Sequence, residues 1–294
     1  MPLAYETDLY RRLRKHLDGI RVVDCHEHLP IESRPEVRGN EKHLGRFFLH
    51  YASCDLVSAG MPAADMEAVQ SSTSGLEPKE RWQKLKPWYR KAWNTAYCEC
   101  LRLALLDLYD IEDFSDKAIE PLHAAIQKQV KPGFVRQVFD RAGIDLAMNN
   151  IWDEPAFTRG QDPACFHPDL VDSFTGLDLV GLRKATGQDL GSLDDYLRAI
   201  DGYFVKYGRI AGAFKVGRAY DRTLAFDDVP KSAVERTFNR LLAPNDRPDR
   251  REIQALEDFL LHTLCRKCGE VGLRMKFHTG LQEGNGNVIT NSRA

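Results

Sequence analysis

The chain has 294 residues, 43% of them hydrophobic and 29% charged, with a net charge of −2 and an isoelectric point near 6.5. This length can bury a sizeable core, the near-neutral charge gives no broad attraction to nucleic acid, and no apolar run approaches the roughly 20 residues that span a bilayer. Seven cysteines, an odd number, and the lack of a secretory signal pattern indicate a reducing, cytoplasmic compartment.

In chain order, the pattern predicts helices and short strands in alternation, interrupted by one long helical stretch. An amphipathic helix over residues 3–19 leads into a strand that ends at His28. Residues 45–130 are predicted to be mostly helical, with breaks at residues 71–75 and at Pro87. The later predicted elements are helix 133–141, strand 144–149, strand 170–174, helix 192–207, strand 210–216, helices 232–242 and 251–268, and strand 273–278.

Two histidines separated by one residue end the first predicted strand, in the sequence Asp24-Cys25-His26-Glu27-His28. Alternate side chains of a strand share a face, so both imidazoles point to one side. Imidazole is the commonest protein metal ligand, and a pair this close can bind one divalent ion. Asp24 has the same parity and could orient a ligand from behind, whereas Glu27 has the opposite parity. The pair by itself is also compatible with two solvated loop histidines.

Two later predicted strands also carry polar residues at their ends. Strand 210–216 ends near Lys215, and strand 273–278 ends at His278. Barrel enzymes place their chemistry at the carboxyl ends of the strands. We therefore predict that Lys215 is a catalytic residue that contacts substrate or water near the histidines.

Arg218 follows the strand of Lys215 and is the second candidate catalytic residue. It could grip a substrate carboxylate through a bidentate fork, or it could form a surface ion pair with Asp221 or Asp227. The glycine-rich turn at residues 284–287 lacks the spacing of a phosphate loop, so we expect it to be an active-site turn.

The segments DCHEH, AFKVGRAYDR and KFHTGLQEGNGN, with the insert at 82–114, resemble the metal-dependent amidohydrolase superfamily. The resemblance is to the branch that includes decarboxylating members and is related to uronate isomerases. It implies a distorted (β/α)8 barrel, a TIM barrel, with one catalytic divalent metal, zinc or another ion such as manganese. By position, His26 and His28 match the family's first-strand ligands and His278 matches its fifth-strand ligand. Lys215 matches a lysine that is a carbamylated bridging ligand only in binuclear members.

Only residues 279–294 follow the fifth predicted strand, too few for three more strand–helix units. We therefore expect an α/β fold with about five of eight barrel strands, as a single partial barrel domain over residues 1–294. The helical insertion at 45–130, after the first strand, is expected to be a lid or an oligomerisation element, which leaves homo-oligomers open. The family's sixth-strand histidine and eighth-strand aspartate have no counterpart, so the chain alone is expected to be inactive.

A divalent ion held by three histidines keeps a position open for water and lowers the pKa of that water to roughly 7. The main functional prediction is therefore a metal-dependent hydrolase that acts on a small polar substrate with a carboxylate. The alternatives are a uronate-type sugar isomerase, a non-oxidative decarboxylase, and an inactive fragment that only binds metal or a partner. The expected partner is a small-molecule substrate, with no nucleic acid and no membrane.

Overall fold

A computed structural model describes the chain over residues 7–29, 43–150, 166–243 and 246–293. The chain divides into two compact units, which are residues 1–20, 30–144 and 281–287, and residues 21–29, 145–280 and 288–294. In the described part of the chain, no helix is both long enough and apolar enough to cross a membrane.

The described part of the first unit is helical. Its α-helices are α1 (Asp8–Asp18), α2 (His50–Ser58), α3 (Ala63–Gln70), α4 (Pro78–Ala92), α5 (Ala96–Tyr109), α6 (Ile119–Gln129) and α7 (Phe134–Ala142), with a 3₁₀ helix at Leu44–Phe47. Phe48, Trp82, Tyr89 and Phe114 are buried among these helices and form one aromatic cluster. This cluster gives the first unit a core of its own.

The helical break predicted at Pro87 lies instead between α4, which ends at Ala92, and α5, which begins at Ala96. A capping box between Glu77 and Glu80 starts α4, since each side chain there accepts a hydrogen bond from a backbone N–H at the helix start. The helix continues through Pro87 and ends at Ala92. The hydroxyl of Thr95 then accepts the N–H of Cys98 at 3.4 Å and starts α5. The break therefore lies at the capping threonine and not at the proline.

The second unit is an α/β unit built on a five-stranded sheet. Its strands are β1 (Val22–Glu27), β2 (Ile144–Asn150), β3 (Phe166–Val171), β4 (Phe214–Val216) and β5 (Met275–Phe277), and its α-helices are α8 (Leu179–Thr186), α9 (Leu193–Tyr207), α10 (Lys231–Leu242) and α11 (Arg250–Val271). The strands lie in sequence order, and the pairs β2–β3, β3–β4 and β4–β5 are parallel. The predicted α/β class is confirmed at this level, because five parallel strands in this order correspond to an incomplete barrel.

The register of β3, β4 and β5 places Asp169, Lys215 and Lys276 on one face of the sheet. Lys215 pairs with Lys276 in β5 and with Val171 in β3. Asp169 lies two residues before Val171 and therefore faces the same side of the sheet. The other face of β4 is apolar and fully buried, with Phe214 and Val216 inside the core of the second unit.

Two strands begin or end where the sequence did not predict. β3 covers Phe166–Val171 and not 170–174, because Asp172 accepts the N–H groups of Phe174 and Thr175 at 3.0 Å each and turns the chain. β4 begins at Phe214 and not at residue 210.

Candidate functional site

His26 lies in β1, and His28 follows that strand by one residue. Their ring centroids are 4.8 Å apart with an edge-on geometry, as expected for alternate residues of a strand. Burial, together with the charges of Lys215, His28, Lys276 and His278, lowers the pKa of His26 to about 4. The imidazole of His26 is therefore neutral at pH 7 and keeps a free lone pair.

Asp24 and Glu27 form a second contact on β1. Burial and, after it, a hydrogen bond to the Asp24 carboxylate raise the pKa of Glu27 to about 7. Asp24 also accepts the backbone N–H of His26 at 3.0 Å, so it holds the main chain at this position. That the Asp24 carboxylate orients an imidazole ring of the histidine pair stays a prediction. Glu27 was not predicted as a site residue, because its strand parity is opposite to that of His26 and His28, and its pKa near 7 was not foreseen.

His278 follows β5, and its backbone N–H donates to the carbonyl of Val216 at 2.9 Å. Its ring contacts that of Tyr220, with centroids 4.7 Å apart. Although its charge acts on His26, no three His, Cys, Asp or Glu residues in the described ranges are close enough together to hold a metal ion. The predicted zinc site at His26, His28 and His278 stays a prediction.

Lys215, Lys276 and Asp169 form a charged cluster at the carboxyl end of β3 to β5, and we call it the lysine cluster. Asp169 is completely buried and Lys215 is only 8% exposed. Burial lowers the pKa of Lys215, and the neighbouring charge of Lys276 lowers it further while Asp169 opposes both. Burial likewise raises the pKa of Asp169, against the effect of the two lysines. The cluster is thus held in an environment that disfavours unpaired charge.

The sequence did not predict two residues of this cluster, Asp169 in β3 and Lys276 in β5. The Lys276 ammonium forms an ion pair with Asp169 and donates to the carbonyl of Cys25 at 2.8 Å. It also lies 4.0 Å from the sulfur of Met148. Lys276 has the same strand parity as His278, and this parity was the signal that could have identified it.

Arg218 begins a 3₁₀ helix, Arg218–Tyr220, that follows β4. Its guanidinium pairs with Glu257 at 2.7 Å and with Asp221 at 3.2 Å. The pair with Asp221 is one of the two outcomes weighed from the sequence, whereas the pair with Glu257 was not foreseen. Arg222 pairs with the same Glu257 at 3.0 Å and with Asp258 at 2.7 Å. Two arginines and two carboxylates therefore form a buried network behind the loop after β4.

The glycine-rich turn at residues 284–287 belongs to the first unit. The Asn285 amide donates to the hydroxyl of Ser58 at 2.8 Å, in helix α2. The Asn287 amide donates to the carbonyls of Glu283 and Gly284 at 2.6 and 3.1 Å. Gly284 and Gly286 have φ values of 98° and 83°, which side chains disfavour. The active-site role of the turn stays a prediction.

No family model matches the chain, and no curated protein matches it. Among solved structures, its fold is similar to that of a uronate isomerase from Thermotoga maritima, with a TM-score of 0.68 and 16% sequence identity. The match covers 92% of this chain and 61% of that chain. At this identity the similarity shows the fold alone.

This similarity corrects the main functional prediction. A metal-dependent hydrolase was expected, but the solved structure described above, to which this fold is similar, is a uronate isomerase. The hydrolase prediction is therefore wrong, and the uronate-type isomerase that was its alternative agrees better with the comparison. The error arose because short strand-end motifs specify a barrel and its polar end more strongly than they specify a reaction.

Proposed function

We propose that the chain carries the site of a uronate-type sugar isomerase. The observation that carries the proposal is the set of polar side chains at the carboxyl ends of β1, β4 and β5, on a fold similar to that of a uronate isomerase. His26 supplies a neutral imidazole, and Lys215 and Lys276 supply positive charge beside it. Barrel enzymes carry out their chemistry at this end of the strands.

Isomerisation of an aldose to a ketose passes through an enediolate and moves the proton on C2 to C1 and the hydroxyl proton on O2 to O1. A neutral imidazole can accept the proton on C2, and a positioned group of this kind contributes typically ~10²–10⁴-fold in rate. Positive charge fixed in a partly buried site stabilises the enediolate without reorganisation during the reaction. The lysine cluster therefore suits an anionic sugar and its anionic intermediate better than a neutral one.

The test is incubation of the full chain with D-glucuronate and with D-galacturonate in D₂O, followed by ¹H NMR. We expect a ketose product that carries solvent deuterium, in contrast to the inactivity expected from the sequence alone, and a loss in kcat/KM of about 10²-fold or more for His26→Gln. The exposed His16 on α1 provides the matched control, since His16→Gln should leave the rate unchanged. Release of CO₂ from an aromatic acid, without turnover of either uronate, would instead identify the decarboxylase alternative and overturn the proposal.

A further inference from the structure

Within the lysine cluster, positive charge exceeds negative charge. The charged side chains that act on Lys215 are Lys276 and Asp169, together with the thiol of Cys25. Two ammonium groups thus share one carboxylate in a region where Asp169 is completely buried. A buried charge without a counter-charge is costly, so a site of this kind favours an anion from outside.

Lys276 already uses its donors on the protein. Its ammonium contacts Asp169, the carbonyl of Cys25 and the sulfur of Met148. An ammonium has three N–H donors, so these contacts occupy it. Asp169 pairs with Lys276 through one carboxylate oxygen, whereas among the described residues Lys215 forms no ion pair with a carboxylate, so Lys215 is the ammonium of the cluster that an incoming anion can reach.

The nearby arginines are less suited to that role. Arg218 and Arg222 both pair with Glu257, at 2.7 and 3.0 Å, and Arg222 also pairs with Asp258 at 2.7 Å. Their side chains are only 12% and 3% exposed. A substrate carboxylate would have to compete with buried protein carboxylates for these guanidinium groups, whereas no carboxylate of the described residues is in an ion pair with Lys215.

We propose that Lys215 binds a carboxylate of the substrate, and that the Lys276–Asp169 ion pair positions Lys215 for this by keeping Asp169 away from it. Lys276 is 20% exposed at its side chain, so the cluster is not sealed from solvent. The ligand class is a small monocarboxylate. Its identity as a sugar acid rests on the proposed function, whereas the carboxylate site itself does not.

The experiment measures binding and not turnover. D-glucuronate and D-glucose, which differ in the carboxylate at C6, are titrated calorimetrically into the full chain after treatment with EDTA, so that a metal ion cannot account for carboxylate binding. We expect glucuronate to bind at least about 10-fold more tightly than glucose, since a hydrogen bond to a charged group contributes roughly 1.5–3 kcal/mol. Equal affinities for the two sugars would overturn the proposal.

Variants then assign the site to its residues. Lys215→Met should weaken glucuronate binding about 10- to 100-fold without affecting glucose. The exposed Lys184 on α8 is the matched control, and Lys184→Met should bind as the wild type does. If Lys215→Met melts like the wild type and keeps its affinity for glucuronate, the assignment is wrong.

The positioning role of the ion pair has a separate readout. Lys276→Met frees Asp169 to pair with Lys215, so glucuronate affinity should fall although Lys276 does not contact the ligand. Adding Asp169→Asn to this variant removes the competing carboxylate and should restore affinity. A double variant that binds no better than Lys276→Met would overturn the positioning role. A chain that binds glucuronate through Lys215 but does not isomerise it would overturn the proposed function and leave the carboxylate site standing.

Discussion

Arg222 offers a sharp test of how the loop after β4 is held in place. Its side chain is 3% exposed and pairs with Glu257 and Asp258, which are 5% and 4% exposed. It also donates to the carbonyl of Ala225 at 2.8 Å, and its guanidinium lies 4.3 Å from the ring centroid of Phe226. Arg222→Met removes the cation and these hydrogen bonds while it retains much of the side-chain volume.

The expected loss in the free energy of unfolding follows from the contacts that Glu257 and Asp258 each lose when Arg222 is replaced. Breaking a buried ion pair by removing one partner costs about 3–5 kcal/mol, because the other charge is left buried. Glu257 keeps Arg218 at 2.7 Å, whereas the one partner that the described residues leave to Asp258 is the backbone N–H of Asp227 at 3.3 Å. The cost therefore falls mainly on Asp258, and we expect about 3 kcal/mol for Arg222→Met. At roughly 2–4 °C per kcal/mol for domains of this size, the melting temperature should fall by about 6–12 °C.

The same glutamate provides the control. Arg250 also lies near Glu257, at 3.7 Å, but its side chain is 60% exposed. Exposed ion pairs contribute about 0–1 kcal/mol, so Arg250→Met should change the free energy of unfolding little. Both variants are compared by urea unfolding followed by circular dichroism at 222 nm. Adding Asp258→Asn to Arg222→Met should recover part of the loss, and equal destabilisation by Arg222→Met and Arg250→Met would refute the reasoning.

Three further predictions concern the first unit. Burial lowers the pKa of His43 to about 4 from 6.5, so the stability it contributes is present above pH 6.5 and is lost as the pH falls toward 4. His43→Phe should therefore flatten the pH dependence of the urea midpoint between pH 7 and 4, whereas His16→Phe should not. Thr95→Ala removes the hydroxyl that accepts the Cys98 N–H at the start of α5 and should cost about 1 kcal/mol in a urea melt. Leu13 is 55% exposed on α1, so Leu13→Ser should change the free energy of unfolding by less than about 0.5 kcal/mol.

The elements best predicted from the sequence are those whose signals are local and agree with one another. The strand end at His26 and His28 combines an apolar run with a polar stop, and α11 (Arg250–Val271) has a capping box between Asp249 and Glu252. Pro87 does not break α4, because the helix around it is held by the packing of Leu85 and Tyr89, which are buried. Such tertiary contacts outweigh the intrinsic cost of a proline and cannot be read from local propensity.

The candidate site was only partly accessible to sequence reasoning, for a related physical reason. His26, His28, Lys215 and His278 could be found as strand-end residues, because strand parity is a local property. Asp169 follows a proline in β3, at Pro168, and proline argues against a strand interior. The ion pair of Asp169 with the lysine in β5 depends on strand order, which no local pattern contains.

The three residues of β4 explain how a lysine can stay nearly buried at the end of this sheet. Phe214 and Val216 are fully buried on one face, and the Phe214 ring lies 5.6 Å from that of Phe204 and 6.1 Å from that of Phe174. Burial of such side chains contributes about 1.5–3 kcal/mol each, and the register of a strand then forces Lys215 onto the opposite face. Desolvation of an ammonium costs several kcal/mol, a cost of the same order as the gain from the two apolar side chains. Burial of Phe214 and Val216 can therefore offset the desolvation cost of Lys215 without a counter-ion. A substrate carboxylate that pairs with Lys215 then reduces this desolvation cost.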